Sequence, residues 1–294
     1  MTDPALEFTG ERFTPECVRE IWYEHWHRYA FALALAPGRR VLDAACGEGY
    51  GSALLATRAA SVLGADISEQ AIAHARERYG AAANLDFAVA DCTALEGLPA
   101  RSFDLIVSFE TLEHVAAQER MLDRFAELLA PEGVLLISTP DKRTYSDLAG
   151  FQNEHHVREL YRPEFEAMLD ARFAAKRLYA QKLLFQSVLW ELGGSQSSHG
   201  LATVRADGRV ETGLGYEPLY YVAACAQDGE ALQALDSLSL FGDAAESVYH
   251  HYNDEIRRHI AAGLRLAELE RELELERARC RELQARLDPS PNSP

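Results

Sequence analysis

Glu110, Glu113 and His114, in the run Phe109-Glu-Thr-Leu-Glu-His-Val115, are the side chains best placed for chemistry. If that run turns helically, positions i, i+3 and i+4 share one face. Two carboxylates and an imidazole gathered there make a site for a divalent metal such as Mg2+ or Mn2+. An imidazole titrating near neutrality is also suited to take a proton. His114 is therefore a candidate base, and His155, in Asn153-Glu-His-His156, is a second. The plainer alternative leaves Glu113 solvated and His114 acting alone.

A cluster of this kind needs a reactant held beside it, and residues 40–51 supply a holder. They read Arg-Val-Leu-Asp-Ala-Ala-Cys-Gly-Glu-Gly-Tyr-Gly. Val41 and Leu42 form a short buried strand that Asp43 ends, and helical residues follow Gly47, Gly49 and Gly51. A glycine-rich turn between strand and helix admits a ligand close to backbone. Asp66 ends a second apolar run, 61–66, about 20 residues on, where a Rossmann-type fold carries its ribose-binding carboxylate. A third run, 85–91, ends at Asp91. Further runs at 103–109 and 133–139 alternate with helical stretches, which predicts an α/β fold with a parallel sheet covered on both faces. Asp66 and Asp91 could also serve only as helix N-caps at strand ends.

The ordered set Val41-Leu-Asp-Ala-Ala-Cys-Gly-Glu-Gly49, Ala65-Asp66, Ala90-Asp91-Cys92 and Phe103-Asp-Leu-Ile-Val-Ser-Phe-Glu110 resembles the class I S-adenosylmethionine (SAM)-dependent methyltransferases. The likeness is ordered over 38–140 and looser to about 226. A nucleotide dehydrogenase is the competitor, but its Gly-x-Gly-x-x-Gly spacing is not met here. The resemblance implies a Rossmann-like seven-stranded sheet whose last two strands form a hairpin, the seventh antiparallel to the rest. It implies SAM as cofactor, with Asp43, Ala45, Cys46, Gly47 and Gly49 around its methionine and ribose end. Asp66 and Ile67 would flank the ribose, Asp91 and Cys92 the adenine, and Phe109 closes the set. Arg28 or Arg12 would meet the methionine carboxylate. Glu-x-x-Glu-His further resembles metal-dependent O-methyltransferases, those of small-RNA ends and of the ubiquinone pathway. In the former a His nine residues before a Phe completes the metal site. His156 stands nine before Phe165, so Glu110, Glu113, His114 and His156 are the implied ligands.

The elements that must position these residues are legible in outline. A helix rich in aromatics over 19–35 is stopped by Pro37-Gly38. In the family such a helix caps the SAM site, although Trp22, Tyr23, Trp26 and Tyr29 could equally pack on the sheet. Helices are expected at 50–59, 69–80, 115–130 and 163–171, and strands at 173–181 and 217–226. The stretch 186–216 reads as a substrate-side insertion. Domain boundaries follow at 1–37 (arm and capping helix), 38–227 (SAM-dependent domain) and 228–294 (helical extension). Within the extension, Leu232, Leu235, Leu238 and Leu240 suggest one helix and 245–287 a longer one. There Leu266, Leu273, Cys280 and Leu287 alternate with Leu269, Glu276 and Leu283 as a and d positions of a short coiled coil. A homo-oligomer or partner through 264–287 is expected; a lone charged helix is the alternative. The tail from Asp288 is expected to be disordered.

Composition narrows the partners. The 294 residues are 48% hydrophobic and carry a net charge of −17, which disfavours broad nucleic-acid or anionic-membrane binding. Five scattered cysteines without paired spacing suit a reducing cytoplasm. Neither a signal peptide nor a membrane span is predicted. The resulting expectation is O-methylation of a small molecule, sugar or glycan. Metal-free N- or C-methylation and a SAM-binding scaffold acting through its coil are the rivals.

Overall fold

The computed structural model describes residues 20–189 and 200–287. Arg12, the arm before residue 20, the Gly-Gly-Ser part of the 186–216 insertion and the tail from Asp288 lie outside the described residues. The chain falls into two compact units, the first ending at Phe241 and the second starting at Gly242.

The first unit is built on one sheet of seven strands. In chain order they are β1 (Arg40–Ala44), β2 (Ser61–Asp66), β3 (Leu85–Val89), β4 (Phe103–Ser108), β5 (Leu129–Pro140), β6 (Ala175–Gln181) and, after a small hairpin, β9 (Tyr220–Ala226). The spatial order is β3-β2-β1-β4-β5-β9-β6. The first five are mutually parallel, and β9 runs antiparallel to both β5 and β6. The hairpin strands, β7 (Ala202–Val204) and β8 (Val210–Thr212), pair with each other and occupy part of the insertion.

Helices cover both faces. α1 (Glu20–Ala32), α2 (Tyr50–Ala56) and α3 (Glu69–Tyr79) lie over one apolar layer, with Tyr29, Val41, Leu55, Ile72 and Leu105 in its core. α4 (Gln118–Leu128) and α5 (Arg162–Asp170) lie over the other, with Leu42, Ile106, Leu122, Phe125 and Phe165. Neighbouring residues of β1 and β4 thus serve opposite layers, which is why these strands read as continuous apolar runs. The aromatic helix contributes to the core: Tyr29 is buried, and Trp22 and Trp26 pack against the same layer.

Three expectations need correction. Asp43 does not end β1. It sits inside the strand, fully buried, because Tyr29 and Ser52 satisfy its carboxylate. The helix expected through Leu232–Leu240 is not formed beyond a 3-10 turn, Gly229–Leu232. Arg177 donates to the carbonyls of Leu232 and Leu235, occupying acceptors a helix would use, and both leucines are buried. Residues 110–114 are not one helical turn either. Only Leu112–His114 forms a 3-10 turn, and Glu110 has a left-handed φ of 51°.

The second unit is dominated by α6 (Ser247–Leu287), a 41-residue helix. Among the described residues no helix is long and apolar enough to cross a membrane.

Candidate active site

Every parallel strand delivers its last residues to the same sheet edge, so the loops after β1, β2, β3 and β4 meet. They enclose a cavity of about 550 Å³. Its floor is the loop 45–49. Ala45 (φ 62°), Gly47 (φ 56°) and Gly49 (φ 92°) all take left-handed backbone there. A side chain at Gly49 would also strike Ala75 and Phe87, at 2.8 and 2.9 Å from its Cβ. Close approach continues at Gly51, where a Cβ would fall 2.1 Å from the Tyr29 ring. That space lets the Tyr29 hydroxyl reach Asp43 at 3.0 Å, while Ser52 donates to the same carboxylate at 2.6 Å.

Asp43 therefore stands behind the cavity and is not among its lining residues. Burial raises its pKa from 3.8 to about 7, against the hydrogen bonds from Ser52 and Tyr29, which lower it. A raised folded-state pKa means that the native chain binds this proton more tightly than the unfolded chain. The stability from this group is complete below about pH 4 and is lost as pH rises through about 7. Asp43→Asn should flatten that fall in melting temperature. Equal slopes for both proteins between those limits would remove Asp43 as its source.

Asp66 lines the cavity and accepts from the Gly47 and Ser68 amides at 2.9 and 2.8 Å. Asp91 lines it too and accepts from the Thr93 amide at 2.8 Å. Each carboxylate thus caps a turn, and each oxygen keeps a second lone pair for a ligand. Ala45, Cys46, Gly47, Ile67, Cys92 and Phe109 are further lining residues, whereas Gly49 is not. The Cys92 thiol is pushed up to about 12, first by burial and then by the Asp91 carboxylate, so it is no nucleophile.

Arg28 comes from α1 and is buried. Its guanidinium lies 4.6 Å over the Tyr220 ring and 3.4 Å from Glu110, and Nε donates to Gln181 at 2.7 Å. Neither terminal nitrogen makes a hydrogen bond among the described residues. Glu110 and Tyr220 both line the cavity. A buried guanidinium with donors to spare, beside the cavity, fits a carboxylate-bearing ligand.

Acid and imidazole groups line the same cavity. Glu113, His114 and His156 bring one ligand atom each within 4.8 Å of one another. Glu110 is not in this group. It accepts from Ser138 Oγ at 2.6 Å and faces Arg28, a consequence of its left-handed backbone. Burial, and then the Glu110 charge, pushes the Glu113 carboxyl well up. His114 Nδ1 lies 3.1 Å from the His155 carbonyl oxygen, and His156 Nδ1 lies 2.6 Å from Glu159 Oε1. Each contact requires the proton on Nδ1 and turns an Nε2 lone pair outward. For His156 that lone pair accepts from Asn153 at 3.1 Å. His155 itself is absent from the lining, and its ring lies 3.7 Å from Glu154.

Among the lining residues that escaped sequence reasoning are Tyr145, Tyr220 and Asn153. Tyr145 lies on a single π-helical turn, Arg143–Asp147, and stacks on His156 at 5.3 Å. Such turns leave no periodic signature and recur at functional sites. Tyr220 stood inside an expected strand. Asn153 was visible only as a neighbour of the histidines. Glu159, behind His156, could have been found from its i+3 spacing.

Residues 42–137 match the family described as a methyltransferase domain. The chain is 36% identical over 169 residues to a probable S-adenosylmethionine-dependent methyltransferase of Mycolicibacterium smegmatis, covering 56% of this chain and 64% of that protein. It is 35% identical over 125 residues to a ubiquinone biosynthesis O-methyltransferase of Idiomarina loihiensis, covering 41% and 50%. The chain thus spans less than two thirds of the length of these relatives. Among solved structures, the YcgJ protein from Bacillus subtilis has a TM-score of 0.51 at 16% identity, over 70% of this chain and 100% of that one. The fold is the Rossmann-like, seven-stranded fold of class I methyltransferases.

Proposed function

We propose that this chain is a SAM-dependent methyltransferase acting on a hydroxyl oxygen of a small molecule or sugar, with a divalent ion held by Glu113, His114 and His156. The observation that carries the reading is one cavity lined by two unlike groups of residues. One is glycine backbone, Asp66 and Asp91; the other is a buried acid with two imidazoles.

SAM supplies a methyl group already activated by its sulfonium. Asp66 accepts from the ribose hydroxyls, because a carboxylate offers two acceptor oxygens. Asp91 receives the adenine amino group. Arg28, whose terminal nitrogens make no hydrogen bond among the described residues although Nη2 lies 3.4 Å from Glu110, meets the methionine carboxylate, and the Gly47 backbone permits the close approach. Much of the acceleration comes from holding the reactants in line.

The acid and imidazole groups decide the chemistry. A neutral amine attacks without losing a proton first, whereas a hydroxyl is a poor nucleophile until its proton is drawn off. A cluster of acid and imidazole therefore favours oxygen. The donor set of one carboxylate and two imidazoles suits Mn2+ better than Mg2+, which prefers oxygen ligands. Glu159 and the His155 carbonyl fix the two Nδ1 positions, which leaves Nε2 as the ligand atom of each ring; at His156 an ion would displace the Asn153 amide from it. The bound ion supplies Lewis acidity toward the acceptor hydroxyl. Without an ion, His114 Nε2 is the atom that takes the acceptor's proton. Its Nδ1–H, donated to a carbonyl, supports that second reading.

The test is formation of S-adenosylhomocysteine from SAM with a panel of hydroxylated and amino acceptors. Turnover with hydroxyl acceptors is expected. Absence of SAM binding at millimolar concentration would overturn the whole reading, and turnover confined to amines would overturn the oxygen assignment.

A further inference from the structure

α6 is long, and of its described side chains only Val248 is buried. The leucines at 266, 269, 273, 283 and 287 recur with heptad spacing and are 45% to 79% exposed. A helix that keeps such a stripe in water loses the burial that stabilises most helices. Its charges are arranged along the helix by pairs such as Arg265–Glu268 at 3.0 Å and Arg258–Glu255 at 2.8 Å, which leave the stripe uncovered.

We propose that residues 265–287 pair with the same segment of a second copy, as a parallel, in-register, two-stranded coiled coil. Charge complementarity selects this occupant and this register. Positions 265, 272 and 279 precede each a residue, and 270, 277 and 284 follow each d residue. In a parallel pair each of the former faces the residue five positions on in the other copy. Arg265 then meets Glu270, Glu272 meets Arg277, and Arg279 meets Gln284. At these flanking positions no like charges meet, and the two-fold symmetry repeats every pair; within the seam the two Glu276 carboxylates do face each other.

The alternatives each create repulsion. Sliding one copy by a heptad sets Arg265 against Arg277, Glu272 against Glu270 and Arg279 against Arg277. Reversing one helix about the same centre sets Arg265 against Arg286, a repulsion the parallel pair lacks, although it keeps attraction at Glu272–Arg279 and Glu270–Arg277. Two seam positions are not leucine. Glu276 would face its own copy, one polar layer that lowers affinity. Cys280, which is exposed, would face Cys280 of the second copy. Only the parallel register brings those two thiols together.

Sedimentation of the full chain at tens of micromolar should give twice the 32.7 kDa chain mass. Leu269→Lys with Leu273→Lys should return it to the single-chain mass with helix content retained. Glu270→Arg should weaken the dimer about tenfold, and adding Arg265→Glu should restore it. Glu270→Arg also relieves the Glu274 repulsion within the helix, so its loss of affinity reads the contact between copies. Diamide, which is reduced as it takes two hydrogens from a thiol pair, should cross-link the dimer, and Cys280→Ser should abolish the cross-link. A single-chain mass at 100 micromolar overturns self-association. A dimer that the leucine substitutions leave intact overturns the seam. A dimer without a Cys280 cross-link overturns the parallel register.

Discussion

Chelation, or removal of any one of Glu113, His114 and His156, is expected to lower the proposed transfer rate by about a thousandfold while leaving SAM affinity within a factor of about three. The three side chains cluster among the residues lining the cavity, and none belongs to the glycine loop 45–49. Their loss therefore strikes the acceptor and spares the donor. Glu159→Gln should act more weakly, by about 10- to 100-fold, because it removes only the partner of His156 Nδ1. The measurement is initial rate in chelator, then with Mn2+ returned, beside calorimetry with SAM. Full activity in chelator would retire the ion and leave His114 as the base. In that case His114→Ala alone should carry the large loss and His156→Ala a small one.

Asp66→Ala is expected to weaken SAM binding about a hundredfold. Charged hydrogen bonds are each worth about 1.5–3 kcal/mol, and the carboxylate is proposed to accept from two ribose hydroxyls. Part of the loss is indirect, since Asp66 also holds the Gly47 and Ser68 amides. Asp66→Asn separates the two contributions. It keeps an acceptor for one amide but cannot serve both hydroxyls, so it should fall between wild type and alanine. An unchanged dissociation constant for Asp66→Ala would take the ribose away from this residue. Melting temperature without ligand should fall for both variants, alanine more than asparagine.

The sheet was readable because parallel strands buried on both faces appear as apolar runs, and each run here ended near a polar turn. The antiparallel last strand followed from family likeness rather than from any residue. Reading failed where tertiary contacts override local pattern. Asp43 looks like a terminator, yet Tyr29 from a distant helix makes it an interior residue. Leu232–Leu240 has helical spacing, but Arg177 diverts its carbonyls. Glu110 has the spacing of a ligand, but its left-handed backbone aims it at Ser138 and Arg28. The Tyr145 turn was invisible because a single π-helical turn leaves no periodic pattern, whereas Glu159 stood three residues from His156 and went unread.

The contact between Tyr29 and the glycine at position 51 bears on what can stand alone. The stretch 42–137 carries the family match, yet a hydroxyl that donates to its buried Asp43 comes from residue 29, and the guanidinium beside its cavity comes from residue 28. Cutting the chain ahead of β1 would leave Asp43 with Ser52 as its remaining side-chain donor among the described residues. The helix Glu20–Ala32 thus shares one core with the matched stretch, and the boundary drawn by likeness cuts through that core.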